Sequence, residues 1–344
     1  MNAILRKATV DALPQPYLLF LGDTTEPGYA KTAFGLRDWA GDRCVGEWSC
    51  GATVTTGLSF LSPREARARG ARGLVIGVAN VGGTIHESWI GSLVEAIEAG
   101  LDIVSGMHTR LADSPQLKVA ATRHGRRLID VRTPPPNIPI ASGRKRSGKR
   151  LLTVGTDCAL GKKYTALALA RAFAERGIDT DFRATGQTGI LIAGSGMPMD
   201  AVVSDFEAGA AEILSPAADA RHWDVIEGQG SLFHPAYAAV SLGLLHGSQP
   251  DVFIVCHEPG RTHVLGNPGY LLPSIEEVID LTVRLGRRTN PAIRCGGVSL
   301  NTAHFDEPAA RELLAAQSAA LGLPVADPMR GGTEFARLVD ACLS

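Results

Sequence analysis

One stretch, "LLTVGTDCALGKKYTALALA" at residues 151–170, constrains the fold more than any other part of the sequence. A short apolar run ends at Gly155, and Gly161 and Lys162 open a helical pattern. In such a turn the helix N-terminal amides converge on an anion and the lysine adds a point charge. The pattern predicts a phosphate-binding loop whose candidate ligand residues are Gly155, Thr156, Asp157, Cys158, Ala159, Leu160, Gly161, Lys162, Lys163 and Tyr164.

The residue after the loop lysine is unusual for a nucleotide-hydrolysing enzyme. That position normally holds a Ser or Thr whose hydroxyl binds Mg²⁺, but here it is Lys163. Thr165 lies two residues further on, and on a helix it points elsewhere. The loop is therefore predicted to hold a diphosphate, such as that of coenzyme A, with no metal.

Composition narrows the class of protein. The 344 residues exceed one typical domain, and the net charge of −1 argues against nucleic-acid or membrane-surface binding. The six cysteines form no CxxC pair, as expected for reduced thiols in the cytoplasm. The N-terminus does not resemble a secretory signal, and no apolar run reaches the ~20 residues of a spanning helix. We expect a cytoplasmic protein with small-molecule substrates that forms a homo-oligomer.

The predicted elements indicate an α/β protein with two domains. Residues 1–143 alternate strand-like runs with helical ones, as in 16–23, 74–78 and 87–100, which favours a Rossmann-like domain. No GxGxxG fingerprint supports dinucleotide binding there. Residues 144–344 predict a P-loop NTPase-like domain with three α/β/α layers. Its predicted helices are Tyr164–Arg176, Ile275–Leu285 and Glu307–Leu321, between five strand-like runs.

A basic run, "RKRSGKR" at residues 144–150, leads directly into the phosphate loop. Its position after a proline-rich segment favours a solvated linker. The alternative is a basic rim for an anionic ligand, such as the 3′-phosphate of coenzyme A.

Two segments of residues 144–344 resemble a known class of P-loop proteins. "GTDCALGKK" has five residues between its glycines and resembles the loop of dethiobiotin synthetase and its deviant Walker relatives. "DVIEGQGS" at 224–231 resembles the acidic strand end of that class, with Asp224 and Glu227 as its acids.

A wider set of motifs is similar to one two-domain family. The set adds "ATGQTGILIAG" (184–194), "SDFEAGAAE" (204–212), "EGQGSLFHPAY" (227–237) and "CHEPGRTHVLG" (256–266) to the loop. In that family a Rossmann-like domain precedes a P-loop domain, and one branch contains the bacterial D-glutamate N-acetyltransferases. The resemblance implies transfer of an acetyl group from acetyl-CoA to the amino group of D-glutamate.

Acetylating an amine requires a general base near the thioester. We expect that base to be Glu227, with His257 (beside Glu258) second and Asp205 third, because all lie at strand ends or loops. A satisfied core histidine is the alternative for His257. An acyl-cysteine on Cys158 is a minor alternative, because no histidine lies near it in the sequence.

D-glutamate carries two carboxylates, which favour bidentate cations. We expect Arg183, Arg261 and Arg110 to bind them, in a cleft between the two domains. The competing functions are an ATP-dependent ligase or kinase resembling dethiobiotin synthetase and a non-catalytic nucleotide sensor. Lys163 argues against the ligase, and the acids of "DVIEG" argue against the sensor.

Overall fold

The structure is a computed structural model that describes residues 13–344. Within that range the chain divides into two compact units. The first contains residues 13–135 and 186–201, and the second contains residues 136–185 and 202–344. No helix in the described range is long and apolar enough to cross a membrane.

The described elements are mostly strands alternating with helices. The strands are β1 Tyr17–Phe20, β2 Cys44–Trp48, β3 Gly73–Ile76, β4 Asp102–Ser105, β5 Leu128–Asp130, β6 Lys149–Gly155, β7 Thr180–Arg183, β8 Trp223–Ile226, β9 Val252–His257, β10 His263–Val264, β11 Asn267–Leu271, β12 Arg294–Leu300 and β13 Val325–Ala326. The α-helices are α1 Lys31–Ala40, α2 Pro63–Ala68, α3 Glu87–Glu98, α4 Pro115–His124, α5 Lys162–Glu175, α6 Gln187–Ala193, α7 Glu207–Leu214, α8 Ala238–Ser248, α9 Ile275–Gly286, α10 Glu307–Leu321 and α11 Gly332–Leu343.

The first unit is built on a parallel sheet in the order β2-β1-β3-β4-β5. Its strands are buried over most of their length, as expected when helices cover both faces of a parallel sheet. Trp89, Leu93 and Ile97 place one face of α3 in this core. The predicted Rossmann-like fold is confirmed.

Strand β2 was not predicted from the sequence, because "CVGEW" contains a glycine and a glutamate. Glu47 is nevertheless buried, and its carboxylate accepts hydrogen bonds from Thr55 and from the Thr56 amide at 2.6 Å. These partners lie eight and nine residues further along the chain, where a local pattern does not reveal them.

The second unit is built on a parallel sheet in the order β13-β12-β9-β6-β8-β7. The side chains of α5 and α11 pack with Leu151 and Val225 in one core cluster. In this order β6 lies between β8 and β9, and all three strands are parallel. The loops that follow these strands therefore lie at the same edge of the sheet, where the strands have their carboxyl ends. The predicted P-loop architecture is confirmed.

Residues 186–201 follow β7 in the sequence but pack within the first unit. Thr188 Oγ1 lies 2.9 Å from Thr32 Oγ1, and the carbonyl oxygen of Ile192 accepts a hydrogen bond from Arg43 at 3.0 Å. The compact units thus follow a different division from the predicted boundary between residues 143 and 144, because this segment forms its hydrogen bonds with residues before 135.

The basic run 144–150 is neither a solvated linker nor a rim at the phosphate loop. It lies at the start of β6, whereas the loop follows the other end of that strand. Arg150 is fully buried and donates to the carbonyl oxygens of Ser215 and Pro216 at 3.2 and 2.9 Å. Arg146 donates to the carbonyl oxygens of Ser215 and Gly247 at 2.9 and 2.7 Å. These arginines donate to backbone carbonyl oxygens that follow α7 or lie at the end of α8.

This assignment predicts a stability effect at the far end of the sheet from the ligand loop. Replacing Arg150 with Met leaves several buried carbonyls without donors, and we expect the free energy of unfolding to fall by about 3 kcal/mol. The matched control is Arg144, which is exposed in the same run. The substitution Arg144→Met should change the free energy of unfolding by less than about 0.5 kcal/mol. Urea denaturation measures both. If the two substitutions lower the free energy of unfolding equally, the run is a solvated linker and Arg150 has no special structural role.

Candidate functional site

The predicted phosphate loop has the expected strand, turn and helix. Residues 156–161 join β6 to α5 at the carboxyl edge of the second sheet. Ala159 and Gly161 have φ values of 55° and 103°, and this left-handed turn brings the chain into a helix that begins at Lys162. The first-turn N–H groups of a helix have no acceptor within that helix, so this end can supply amides to an anion.

Lys162 is buried at the start of α5, and its Nζ donates to the carbonyl oxygen of Asp157 at 2.6 Å. Desolvation by burial lowers the pKa of this ammonium, whereas the neighbouring Cys158, Cys256 and Asp157 raise it. A bound anion would stabilise the charged form further. Lys162 thus holds the loop through its bond to the Asp157 carbonyl, and its contact with a ligand stays a prediction.

Asp157 joins the phosphate loop to the segment that follows β9. Its carboxylate is fully buried, and it accepts hydrogen bonds from the Cys158 amide at 2.6 Å and the Leu265 amide at 2.8 Å. Arg261 forms an ion pair with the same carboxylate at 3.0 Å and donates to the Cys158 carbonyl at 2.8 Å. The side chain of Asp157 therefore connects the phosphate loop to Arg261 and Leu265 and restrains its conformation.

The two residues nearest the expected metal-ligand position offer no hydroxyl to a ligand. Lys163 Nζ lies 4.6 Å from the centre of the Tyr164 ring, in a cation–π contact. Thr165 is buried, and its Oγ1 lies 2.8 Å from Ser299 Oγ beneath the loop. The Thr165 hydroxyl is thus bound within the protein, to Ser299.

Glu227 lies directly after β8, beside the phosphate loop. It is buried, and one carboxylate oxygen accepts a hydrogen bond from the Thr185 amide at 2.9 Å. A Cβ on the next residue, Gly228, would lie 1.7 Å from the Thr153 carbonyl oxygen and 3.1 Å from Lys162 Cδ. Only glycine fits there, and its absent side chain is what lets the acidic strand end approach Lys162.

Asp224 and Arg183 form an ion pair within β7 and β8, before the carboxyl edge. Arg183 Nε lies 2.6 Å from Asp224 and its Nη2 lies 2.9 Å from Asp181. His222 lies 3.2 Å from Asp224. The guanidinium of Arg183 is thus bound by two carboxylates of the protein itself, and Asp224 does not share a site with Glu227.

The remaining predicted residues occupy several places. His257 is the last residue of β9, and its Nδ1 lies 3.0 Å from Thr156 Oγ1. Burial is the main cause that lowers the pKa of His257, and the nearby charge of Arg261 lowers it further. The carboxylate of Glu258 acts in the opposite direction and raises this pKa. Asp205 is exposed in a single 3-10 turn before α7. Arg110 is exposed in the loop after β4 of the first unit.

The structure also brings His234 to the phosphate loop, although 75 residues separate it from Cys158. One ligand atom of each of Asp157, Cys158 and His234 lies within 4.8 Å of the others. The sequence does not reveal this contact, because nothing near His234 in the chain indicates a partner in the phosphate loop.

Comparison with known families agrees with this architecture. Residues 139–339 match a model described as the P-loop domain of a "domain of unknown function", DUF1611, and residues 43–134 match the Rossmann-like domain of the same family. The chain belongs to the DUF1611 family. A crystal structure of a DUF1611 protein from Anabaena variabilis has a TM-score of 0.85 and 35% identity, and the match covers 95% of this chain and 99% of that one.

Two curated relatives are similar over nearly their full lengths. A D-glutamate N-acetyltransferase from Tritonibacter scottomollicae is 52% identical over 95% of this DUF1611 chain and 98% of the relative. A D-glutamate N-acetyltransferase from a Pseudoalteromonas species is 49% identical over 93% of this chain and 96% of the relative. The predicted family is confirmed.

The buried pair of Asp157 and Arg261 predicts a strong energetic coupling. In a double-mutant cycle with Asp157→Asn and Arg261→Met, we expect a coupling free energy of about 2 kcal/mol from chemical denaturation. Asp280 and Arg284 are exposed on α9 with a 3.6 Å contact and form the control pair. Their coupling should stay below about 0.5 kcal/mol. Similar couplings for the two pairs would contradict the role of Asp157 in holding the loop.

Proposed function

We propose that this protein is a D-glutamate N-acetyltransferase that uses acetyl-CoA. The observation that carries the proposal is the similarity to two relatives of that name at 52% and 49% identity over 95% and 93% of the chain. The site is consistent with it, because acetyl transfer requires a place to hold the coenzyme and no phosphoryl chemistry.

In this proposal the diphosphate of acetyl-CoA occupies the phosphate loop. The amides at the start of α5 and the Lys162 ammonium supply its hydrogen bonds. A metal ion is needed in a kinase or ATPase to bridge the transferred phosphoryl group. Here no phosphoryl group moves, so Lys163 can replace the hydroxyl residue and add positive charge.

The reaction itself forms an N–C bond and breaks the C–S bond of the thioester. The ammonium of D-glutamate first loses a proton, the neutral amine attacks the carbonyl carbon, and coenzyme A leaves as its thiolate. A second proton is lost from nitrogen as the amide forms. We assign Glu227 as the base, since its carboxylate is held at the edge where β8 ends, and keep His257 as the alternative.

Recognition of D-glutamate requires cationic side chains that are not already paired. Arg183 is bound by Asp181 and Asp224, and Arg261 is bound by Asp157 and Glu258. We therefore propose that these two arginines have structural roles. The third predicted arginine, Arg110, is exposed and remains the candidate for binding a substrate carboxylate.

The first prediction of this proposal concerns the metal. Acetylation of D-glutamate should continue in excess EDTA, and coenzyme A should raise the melting temperature in EDTA, because Lys162 and the amides bind the diphosphate directly. ATP with Mg²⁺ should not give a larger shift than coenzyme A in the same assay. A strict Mg²⁺ requirement would contradict the proposal and favour the ATP-dependent ligase.

A second prediction concerns the base. Glu227→Gln keeps an oxygen for the Thr185 amide but removes basicity, so kcat should fall about 10²–10⁴-fold. The dissociation constant for coenzyme A should stay within about threefold of the original. His257→Ala is the comparison variant. A normal kcat for Glu227→Gln with a large loss for His257→Ala would assign the base to His257.

A further inference from the structure

His234 is a buried residue whose ring is fixed by its own loop. It lies between β8 and α8, is 3% exposed, and stacks on Tyr237 with ring centres 4.5 Å apart. Its Nδ1 lies 3.0 Å from the Ala236 amide and 3.2 Å from the Tyr237 amide. These two N–H groups donate to Nδ1, so the imidazole caps the turn before α8.

This capping arrangement decides where the imidazole carries its proton. Because Nδ1 accepts from two backbone donors, it has no proton, and the neutral ring carries its hydrogen on Nε2. Burial, assisted by Lys162, lowers the pKa of His234, with Asp157 acting in the opposite direction. Burial thus favours the same neutral ring that the two backbone donors at Nδ1 require.

The Nε2–H group lies beside the phosphate loop. Nε2 lies 3.9 Å from Asp157 Oδ1, which is beyond hydrogen-bond distance. Among residues 13–344, no hydrogen bond involving this nitrogen is found. This nitrogen therefore has no acceptor within hydrogen-bond distance in the described part of the chain, and it lies beside the loop residues Asp157 and Cys158.

The tautomer excludes two roles that the cluster of Asp157, Cys158 and His234 suggests. A nitrogen that carries hydrogen does not coordinate a metal ion, and it does not take a proton from the Cys158 thiol. His234 is thus neither a metal ligand nor the base of an acyl-cysteine mechanism. The role left for the Nε2–H group is to donate a hydrogen bond to an acceptor atom of a ligand.

We propose that His234 is a ligand-binding residue whose neutral Nε2–H donates to an oxygen of the anion held on the phosphate loop. The inference rests on the proposed function for the identity of that anion, the diphosphate of acetyl-CoA. Lys162, the loop amides and His234 would then all donate hydrogen bonds to one bound anion.

Two matched pairs of variants separate binding from structure. His234→Asn retains an oxygen near the Nδ1 position that can cap the turn, but it has no donor at Nε2. His234→Gln and His234→Met have similar reach and both lose the cap, but only Gln restores a donor. Comparing Gln with Met isolates the N–H group even if either variant is less stable.

The measurement is calorimetric titration in EDTA with coenzyme A and, separately, with inorganic pyrophosphate. For both probes we expect His234→Asn to bind about 10- to 100-fold more weakly than the original protein, with a melting temperature within about 2 °C. His234→Gln should bind at least about 10-fold more tightly than His234→Met. Unchanged affinity in His234→Asn, or equal affinity in Gln and Met, would overturn the proposal.

These outcomes are distinct from failure of the proposed function. If the original protein does not acetylate D-glutamate but the variants lose pyrophosphate affinity as expected, the reaction is wrong and His234 remains a ligand-binding residue. If acetylation is found but His234→Asn binds coenzyme A normally, only the role of His234 is overturned.

Discussion

The buried carboxylate of Asp157 is the interaction on which the rest of the site depends. It binds the Cys158 amide within the phosphate loop and, in the segment that follows β9, the Leu265 amide and Arg261. The loop turns through two residues with left-handed φ, Ala159 and Gly161, and this conformation must be restrained. The ion pair supplies that restraint, and the anchored loop sets the positions of Lys162 and of the amides that would meet an anion.

The order of the second sheet explains why distant residues converge on this loop. Strand β6 has β8 and β9 as its neighbours, so Glu227 and His257 follow the two adjacent strands. Gly228 allows the β8 side to approach, because any side chain there would collide with the Thr153 carbonyl oxygen. In the proposed function this edge combines an anion-binding loop with two candidate bases and does not require a metal ion.

Local patterns predicted the parts of the protein whose causes are local. The strand, glycine turn and lysine of the phosphate loop and the helix Glu307–Leu321 follow from spacing and capping within one segment. The carboxylate partners of Arg183 and Arg261 could not be predicted in this way, since Asp224 and Asp157 lie 41 and 104 residues away. The same reason applies to Arg150, whose buried acceptors come from a loop 65 residues later, and to His234.

The central claim is that the phosphate loop holds the diphosphate of acetyl-CoA without a metal. The most direct measurement is a crystal structure of the complex with coenzyme A, grown in EDTA. We predict that the diphosphate oxygens lie within hydrogen-bond distance of amides in residues 158–163 and of Lys162 Nζ, with no metal ion between them. A diphosphate bound elsewhere, with the loop unoccupied, would contradict the account.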